Sequence, residues 1–320
     1  MLVERCSGVY VVAVRGSDVF LAGCSAAQPL RWLRRLILAA AFGLVPAALV
    51  WGAPIGMVTD LTGKVWFTSS ADSGSRQPLT ILSYVSAGVT IDVDKGASVS
   101  VTLYNPPDEY VFAGPAKFRV EDQGLSKVEG KAPAIQRLGD LAAETTTQAI
   151  NQGSRRTLAV ARLRNSAFAP FIVGLSPDKT AVRSTSPRFL WTAMPGIDRY
   201  RVILSAGDGS GLLDEWVPGA EWRLPSGYTL PPGRSYAWAV EASTPEGKTL
   251  RGQARFSILD AEVVSRLEAE APKAGASFAY RLRHALTLEA LGLNDESRTL
   301  WRDLARERPG EPAVQERAQP

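Results

Sequence analysis

Few of the 320 residues are of a type that does chemistry. The single histidine, His284, sits in a leucine-rich stretch and reads as the flank of a helix rather than as a catalytic base. Both thiols, Cys6 and Cys24, lie near the N-terminus, and the rest of the chain has none. One histidine and a thiol-free body cannot supply a Ser–His or Cys–His couple, nor a His/Cys metal cluster. There is no phosphate loop and no Gly-x-Ser-x-Gly turn. Asp92-Val93-Asp94-Lys95-Gly96 opens like a calcium loop but lacks the third oxygen ligand and the closing Glu. The acid pairs Asp108-Glu109 and Asp214-Glu215 sit beside turns, and only their charge speaks for a glycosidase role. Large aromatics remain. Trp216 and Trp222 flank Pro218-Gly219, and Trp301 is the large residue of a C-terminal helix. An exposed indole stacks on a sugar or a peptide; packing in a core is the competing use. The sequence therefore predicts no enzyme, no catalytic residue, no cofactor and no metal, with Trp216, Trp222 and Trp301 as the candidate ligand or partner contacts.

Charge bounds the partners. The pI of 9.1 suggests a polyanion, yet the excess is local. Of 36 Lys+Arg and 32 Asp+Glu, five and two fall in residues 1–53, which leaves 31 and 30 and a net charge of +1. No dense basic run remains to neutralise several phosphates, so nucleic acid is not an expected partner.

That basic N-terminal segment has another use. Arg31-Trp32-Leu33-Arg34-Arg35 precedes an uncharged apolar run over 36–51, followed by Gly52-Ala53. A basic region, an apolar region and small residues make a secretory signal, cleaved near Gly52/Ala53. The rival is an uncleaved anchor, since uncharged sequence continues to Thr59. Either way the arginines stay inside and the C-terminal bulk is exported. Leu21-Ala22-Gly23-Cys24 has the form of a lipoprotein box, but Arg15 and Asp18 interrupt the apolar stretch such a box needs.

From Met57 the pattern is that of short strands with Gly and Pro punctuation, as in a β-sandwich, roll or solenoid-like sheet. Strands are expected at 79–85, 89–93, 99–103, 110–113 and 117–120, with Asn105-Pro106-Pro107-Asp108 as a turn. The motifs Gly63-Lys64-Val65, Val85-Ser86-Ala87-Gly88, Lys95-Gly96-Ala97-Ser98-Val99 and Tyr110-Val111-Phe112-Ala113-Gly114-Pro115 resemble the periplasmic domain of the FecR family. This resemblance implies a periplasmic sensing or binding β-domain over about 56–131. In that family the domain relays a transporter's signal through a cytoplasmic segment, and here only about 35 unpatterned residues precede the apolar run.

Residues 132–182 read as a helical linker, with one helix over 134–151 and a break at Gly153-Ser154-Arg155-Arg156. Clear alternation returns in Phe189-Leu190-Trp191, in Tyr200/Val202/Leu204 and in Tyr236/Trp238/Val240, each burying one face of a strand. With the Leu230-Pro231-Pro232-Gly233 turn ahead of Tyr236, residues 183–259 resemble a fibronectin type III-like sandwich.

The spacing then turns helical over 260–308: Val263, Val264 and Leu267; Phe278, Leu282, Ala285, Leu286 and Leu288; Leu300, Trp301 and Leu304, with Asn294 as the expected N-cap. Leu291-Gly292, Trp301 and Pro309 resemble one tetratricopeptide unit. A single unit cannot bury its own apolar face, so it must pack on the β-modules, dimerise or take a partner's helix. Residues 309–320 read as a flexible tail.

The expected protein is mostly β with a helical C-terminus: a FecR-like β-domain, a fibronectin type III-like sandwich and a short helical hairpin. The expected function is non-enzymatic binding or scaffolding in the bacterial periplasm or outside the cell. The partner would be an envelope protein or glycan, and membrane contact would come only through the signal or anchor. A FecR-type single-pass regulator and a carboxylate-based envelope glycan hydrolase are the alternatives.

Overall fold

Alternation of apolar residues across the first module sorts its strands into two facing sheets. The computed structural model describes residues 54–69, 74–145 and 171–319. The signal or anchor segment, both cysteines, Gly153–Arg156 and the last six residues of the expected linker helix, 146–151, lie outside the described residues. The strands are β1 (Pro54–Thr62), β2 (Val65–Thr68), β3 (Arg76–Pro78), β4 (Tyr84–Ser86), β5 (Thr90–Val93), β6 (Ser98–Leu103), β7 (Asp108–Ala113), β8 (Ala116–Glu121), β9 (Gly124–Glu129) and β10 (Ala134–Arg137). They form two antiparallel sheets, ordered β10-β7-β6-β1-β4 and β3-β2-β5-β8-β9. Val58, Ile91, Val99, Val101, Phe112 and Phe118 fill the space between them, and the last two rings stack at 3.7 Å between centroids.

Two glycines of the first module have steric reasons. Gly63 turns the chain from β1 to β2 at φ +75°, and a Cβ there would lie 2.8 Å from that of Ala97. At Gly114 the backbone passes so close to the Asp94 carbonyl that a side chain cannot fit.

The second module follows the second alternation. Strands β11 (Thr180–Val182), β13 (Arg199–Ala206), β14 (Gly211–Pro218), β16 (Ser235–Ser243) and β17 (Thr249–Ile258) form a sheet ordered β11-β17-β16-β13-β14, in which β11 runs parallel to β17. The second layer is the pair β12 (Arg188–Leu190) and β15 (Glu221–Arg223). Tyr200, Val202, Leu204, Tyr236, Trp238 and Val240 are all buried between the layers, with Phe189 against the rings of Trp222, Trp238 and Phe256. The Tyr236 hydroxyl donates back to the Pro231 carbonyl at 2.7 Å, which pins the Leu-Pro-Pro-Gly turn to the strand it feeds.

Helices α1 (Ala261–Ala269), α2 (Phe278–Ala290), α3 (Asn294–Glu307) and α4 (Pro312–Ala318) close the chain. Ser277 caps α2 by accepting from the Tyr280 N–H. Asn294 does not cap α3. Leu293 holds that position, and the Asn294 amide donates instead to the Lys179 carbonyl at 2.6 Å.

The apolar face of the helices is buried within the chain. Phe278, Leu282, Leu286, Trp301, Leu304 and Val314 pack on Met57 of β1 and on Ile81. Leu288 and Leu293 pack with Leu267 of α1, with Leu141 and with Ala181 of β11. The same helices therefore touch both β-modules. This explains why every residue of β6 after Ser98 is buried. Val99, Val101 and Leu103 face the sandwich interior, while Ser100 and Thr102 on the other face lie in a polar layer beneath α2, beside Glu109 and Arg283.

The expected linker is corrected at both ends. Residues 134–137 are strand β10, paired with β7, and the helix begins only at 140. Its start is capped from α1, because Glu270 accepts from the Leu141 and Ala142 N–H groups at 2.9 and 3.0 Å. At the other end, 180–182 belong to the sandwich sheet. The stretch 312–318 in the expected tail is α4, whose Val314 is buried.

Candidate binding surface

The titratable residues singled out in the sequence are each engaged by neighbours. Asp92 and Asp94 both pair with Arg76, at 3.2 and 3.1 Å, and Asp94 also accepts from the Trp66 indole. The Arg76 guanidinium thus sits against the two carboxylates of the segment that opens like a calcium loop. Asp108 faces Arg137 at 3.8 Å. Glu109 is buried against Arg283. Glu215 accepts from the Trp222 indole at 3.1 Å. His284 lines a cavity of about 100 Å³ with Glu270, Tyr280, Arg283 and Thr287. Desolvation, with the positive charge of Arg183, brings its pKa down to about 4, while Glu270 pulls the other way. It is a neutral, partly buried group at neutral pH. Among the described residues, no three of His, Cys, Asp and Glu are grouped to hold a metal ion.

The three tryptophans separate. Trp301 is 2% exposed and Trp222 is 4% exposed. Both are core residues with no free ring face, which corrects their place among the candidate contacts. Trp222 packs against Phe189, and Trp301 lies in the helix–β1 cluster. Trp216 is 55% exposed on β14, the edge strand of the sandwich sheet. Val217 beside it points into the core, so strand alternation turns Trp216 outward.

Register places Trp216 at the end of a polar row that crosses four strands. Trp216 is opposite Arg201 of β13, Arg201 is opposite Glu241 of β16, and Glu241 is opposite Arg251 of β17. Arg201 makes a forked pair with Asp214, Nε to Oδ1 at 2.8 Å and Nη2 to Oδ2 at 2.6 Å, and reaches Glu241 at 3.4 Å. Arg251 approaches Glu241 at 3.5 Å. The fork lowers the Asp214 pKa and raises that of Arg201, so both stay ionised at neutral pH.

The next row is Asp214, Ile203, Ala239 and Gln253. With Ser205 and Ala237 its small side chains floor an open trough of about 540 Å³, bordered by Arg251, Gln253 and Arg255. A second cleft of about 530 Å³ continues past Lys179 and Arg255 to the α2–α3 turn at Gly292 and Asn294.

The solved structures to which this chain is similar include fibronectin type III domains. One from the human collagen alpha-1(XX) chain is 20% identical, covering 37% of this chain and 98% of that domain, with a TM-score of 0.25. A two-domain fibronectin type III segment of chicken tenascin is 15% identical, covering 60% and 82%, with a TM-score of 0.22. CopC from Methylosinus trichosporium OB3b is 17% identical, covering 28% and 94%, with a TM-score of 0.24. No protein-family model and no curated protein matches the sequence. With TM-scores this low, the sandwich is defined by this chain's own strand order and by the Tyr236–Pro231 corner.

Sequence reasoning missed Arg201, Glu241 and Arg251. Each occupies the polar position of an alternating strand and looks like ordinary surface. Only the register puts them in line with Trp216.

Proposed function

We propose that this chain is an exported, non-enzymatic binding or scaffold protein of the bacterial envelope. In this reading a FecR-like β-domain and a fibronectin type III-like sandwich are locked together by a tetratricopeptide-like helical hairpin. The carrying observation is the outer face of the sandwich sheet, with Trp216 exposed beside a preset row of charged side chains on a body braced by α1–α4. A rigid platform with an exposed aromatic and fixed polar groups loses little freedom on binding, which suits recognition.

Export is supported at the start of the first sheet. Strand β1 includes Pro54, just past the expected cleavage position, so the residues after that position belong to the first β-module. Residues 54–59, which would have lengthened the apolar run into an anchor, are instead paired with β4 and β6. The remaining uncharged run of 36–53 is at the short end for a bilayer span.

The test is the N-terminus of the protein recovered from envelope fractions, read by mass spectrometry. A start at or near Ala53 in the soluble periplasmic or secreted fraction is the expected result. An intact N-terminus in the inner membrane would overturn it in favour of an anchored FecR-type regulator.

A further inference from the structure

We infer that the Trp216 row is a carbohydrate subsite, taking a neutral β-linked oligosaccharide of the glucose or N-acetylglucosamine type. The inference rests on reading this sheet face as a binding surface, and it names the ligand class.

Three observations select that ligand. The first is the indole itself. Trp216 is half exposed on an edge strand, so part of its ring is open to a ligand. Sugars with equatorial hydroxyls present an apolar ring face of C–H groups, and an open indole is the side chain that packs on it.

The second is charge balance. Along the row, Arg201 and Arg251 are offset by Asp214 and Glu241 in direct contact. A strongly anionic polymer would meet two carboxylates, and a cationic one two guanidinium groups. A neutral polyhydroxylated ligand meets both donors and acceptors, and each of its hydroxyls can use either. Between Trp216 at one end of the row and Phe171, bridged to Arg251, at the other, the apolar side chains are only Ile203, Ala237 and Ala239, and charged groups separate the two rings, which does not suit a lipid chain.

The third is preorganisation and reach. The fork between Arg201 and Asp214 holds both planar groups before any ligand arrives. Four adjacent strands span about 14 Å, and successive rows on one face lie about 7 Å apart. A short oligosaccharide can thus stack on Trp216 and run across the row. The small residues Ala237, Ala239 and Ser205 leave room beside it instead of blocking it.

The experiment is calorimetric titration of the full chain with chitotetraose and with cellotetraose. Saturable binding to at least one is expected, weakened about tenfold or more by Trp216→Ala and less by Trp216→Phe. Arg201→Ala should weaken it too, and 1 M NaCl should change it little, because the ligand is uncharged. Thermal denaturation of the Trp216 variants checks that they fold as the parent does. The inference is overturned by no saturable heat with either sugar, or by Trp216→Ala binding as the parent does. Salt-sensitive binding confined to an acidic polysaccharide would also overturn it. The N-terminus and fraction of the exported protein are read independently, so a failed titration leaves the export reading standing, and a cytoplasmic protein that binds the sugars leaves the subsite standing.

Discussion

Arg283 of α2 meets Glu109 of β7 at 2.5 Å, with the two side chains only 4% and 3% exposed. The Thr59 hydroxyl donates to the same carboxylate at 3.2 Å, with the Thr102 hydroxyl beside it. The ion pair lies in the polar layer between the first β-module and the C-terminal helices. Removing one partner leaves the other charge buried and unpaired. Arg283→Met or Glu109→Gln alone should each destabilise the chain by about 3–5 kcal/mol. The double variant should recover much of that loss, since no lone charge remains. Denaturant midpoints of the four proteins measure the coupling. A double-variant loss equal to the sum of the two single losses would show that the two groups do not stabilise each other.

Trp301 tests the apolar half of the same interface. Its ring is packed with Met57, Leu282 and Leu286, and its Nε1 has no hydrogen-bond partner among the described residues. Trp301→Ala should cost about 3–5 kcal/mol through the cavity it leaves. Trp301→Phe should cost clearly less, because it keeps most of the ring and removes an unpaired donor. Both variants should unfold at lower denaturant concentration, the Ala variant by the larger step.

The sandwich was legible in the sequence because its strands bury one face each. Tyr200, Val202 and Leu204 alternate with polar residues, and that period can belong to little else. The helices were legible from Leu282, Leu286 and Leu304 for the same reason. Strands β9 and β10 were not, since their residues are largely exposed at sheet edges and carry no alternation. The docking of the helices was hidden as well. Apart from Met57, the sheet face they cover is Thr59, Ser100, Thr102 and Glu109, which reads as a solvent face until Arg283 is seen against it. The neighbouring tryptophans Trp216 and Trp222 could not be told apart, because the face each takes depends on strand register.

His284 should make stability depend on pH. Its folded pKa of about 4 lies below the ordinary histidine value near 6.5, so between those values the unfolded chain binds a proton that the folded chain does not. The contribution of neutral His284 is therefore complete above about pH 6.5 and is lost as pH falls toward 4. His284→Gln should flatten the slope of stability against pH in that window and leave the slope above pH 7 unchanged. Denaturant titrations of both proteins from pH 7.5 to 4.5 give the comparison. Parallel curves would mean that His284 is as solvated when folded as when unfolded.

Trp216 and Trp222 give the sharpest contrast between surface and core. They lie on successive strands of the two layers, six residues apart in sequence, and one is half exposed while the other is closed between Phe189 and the Glu215 carboxylate. Truncation at a surface position away from special contacts changes stability by no more than about 0.5 kcal/mol. Truncation of a core tryptophan costs about 3–5 kcal/mol. Trp222→Ala should therefore lower the denaturation midpoint steeply, the more so because Glu215 loses its indole donor. Trp216→Ala should leave the midpoint where it was. An unchanged midpoint in Trp216→Ala would show that the ring has no packing role, as the binding reading requires. A large loss would instead make Trp216 part of the packing of the edge strand and remove the platform on which the binding face depends.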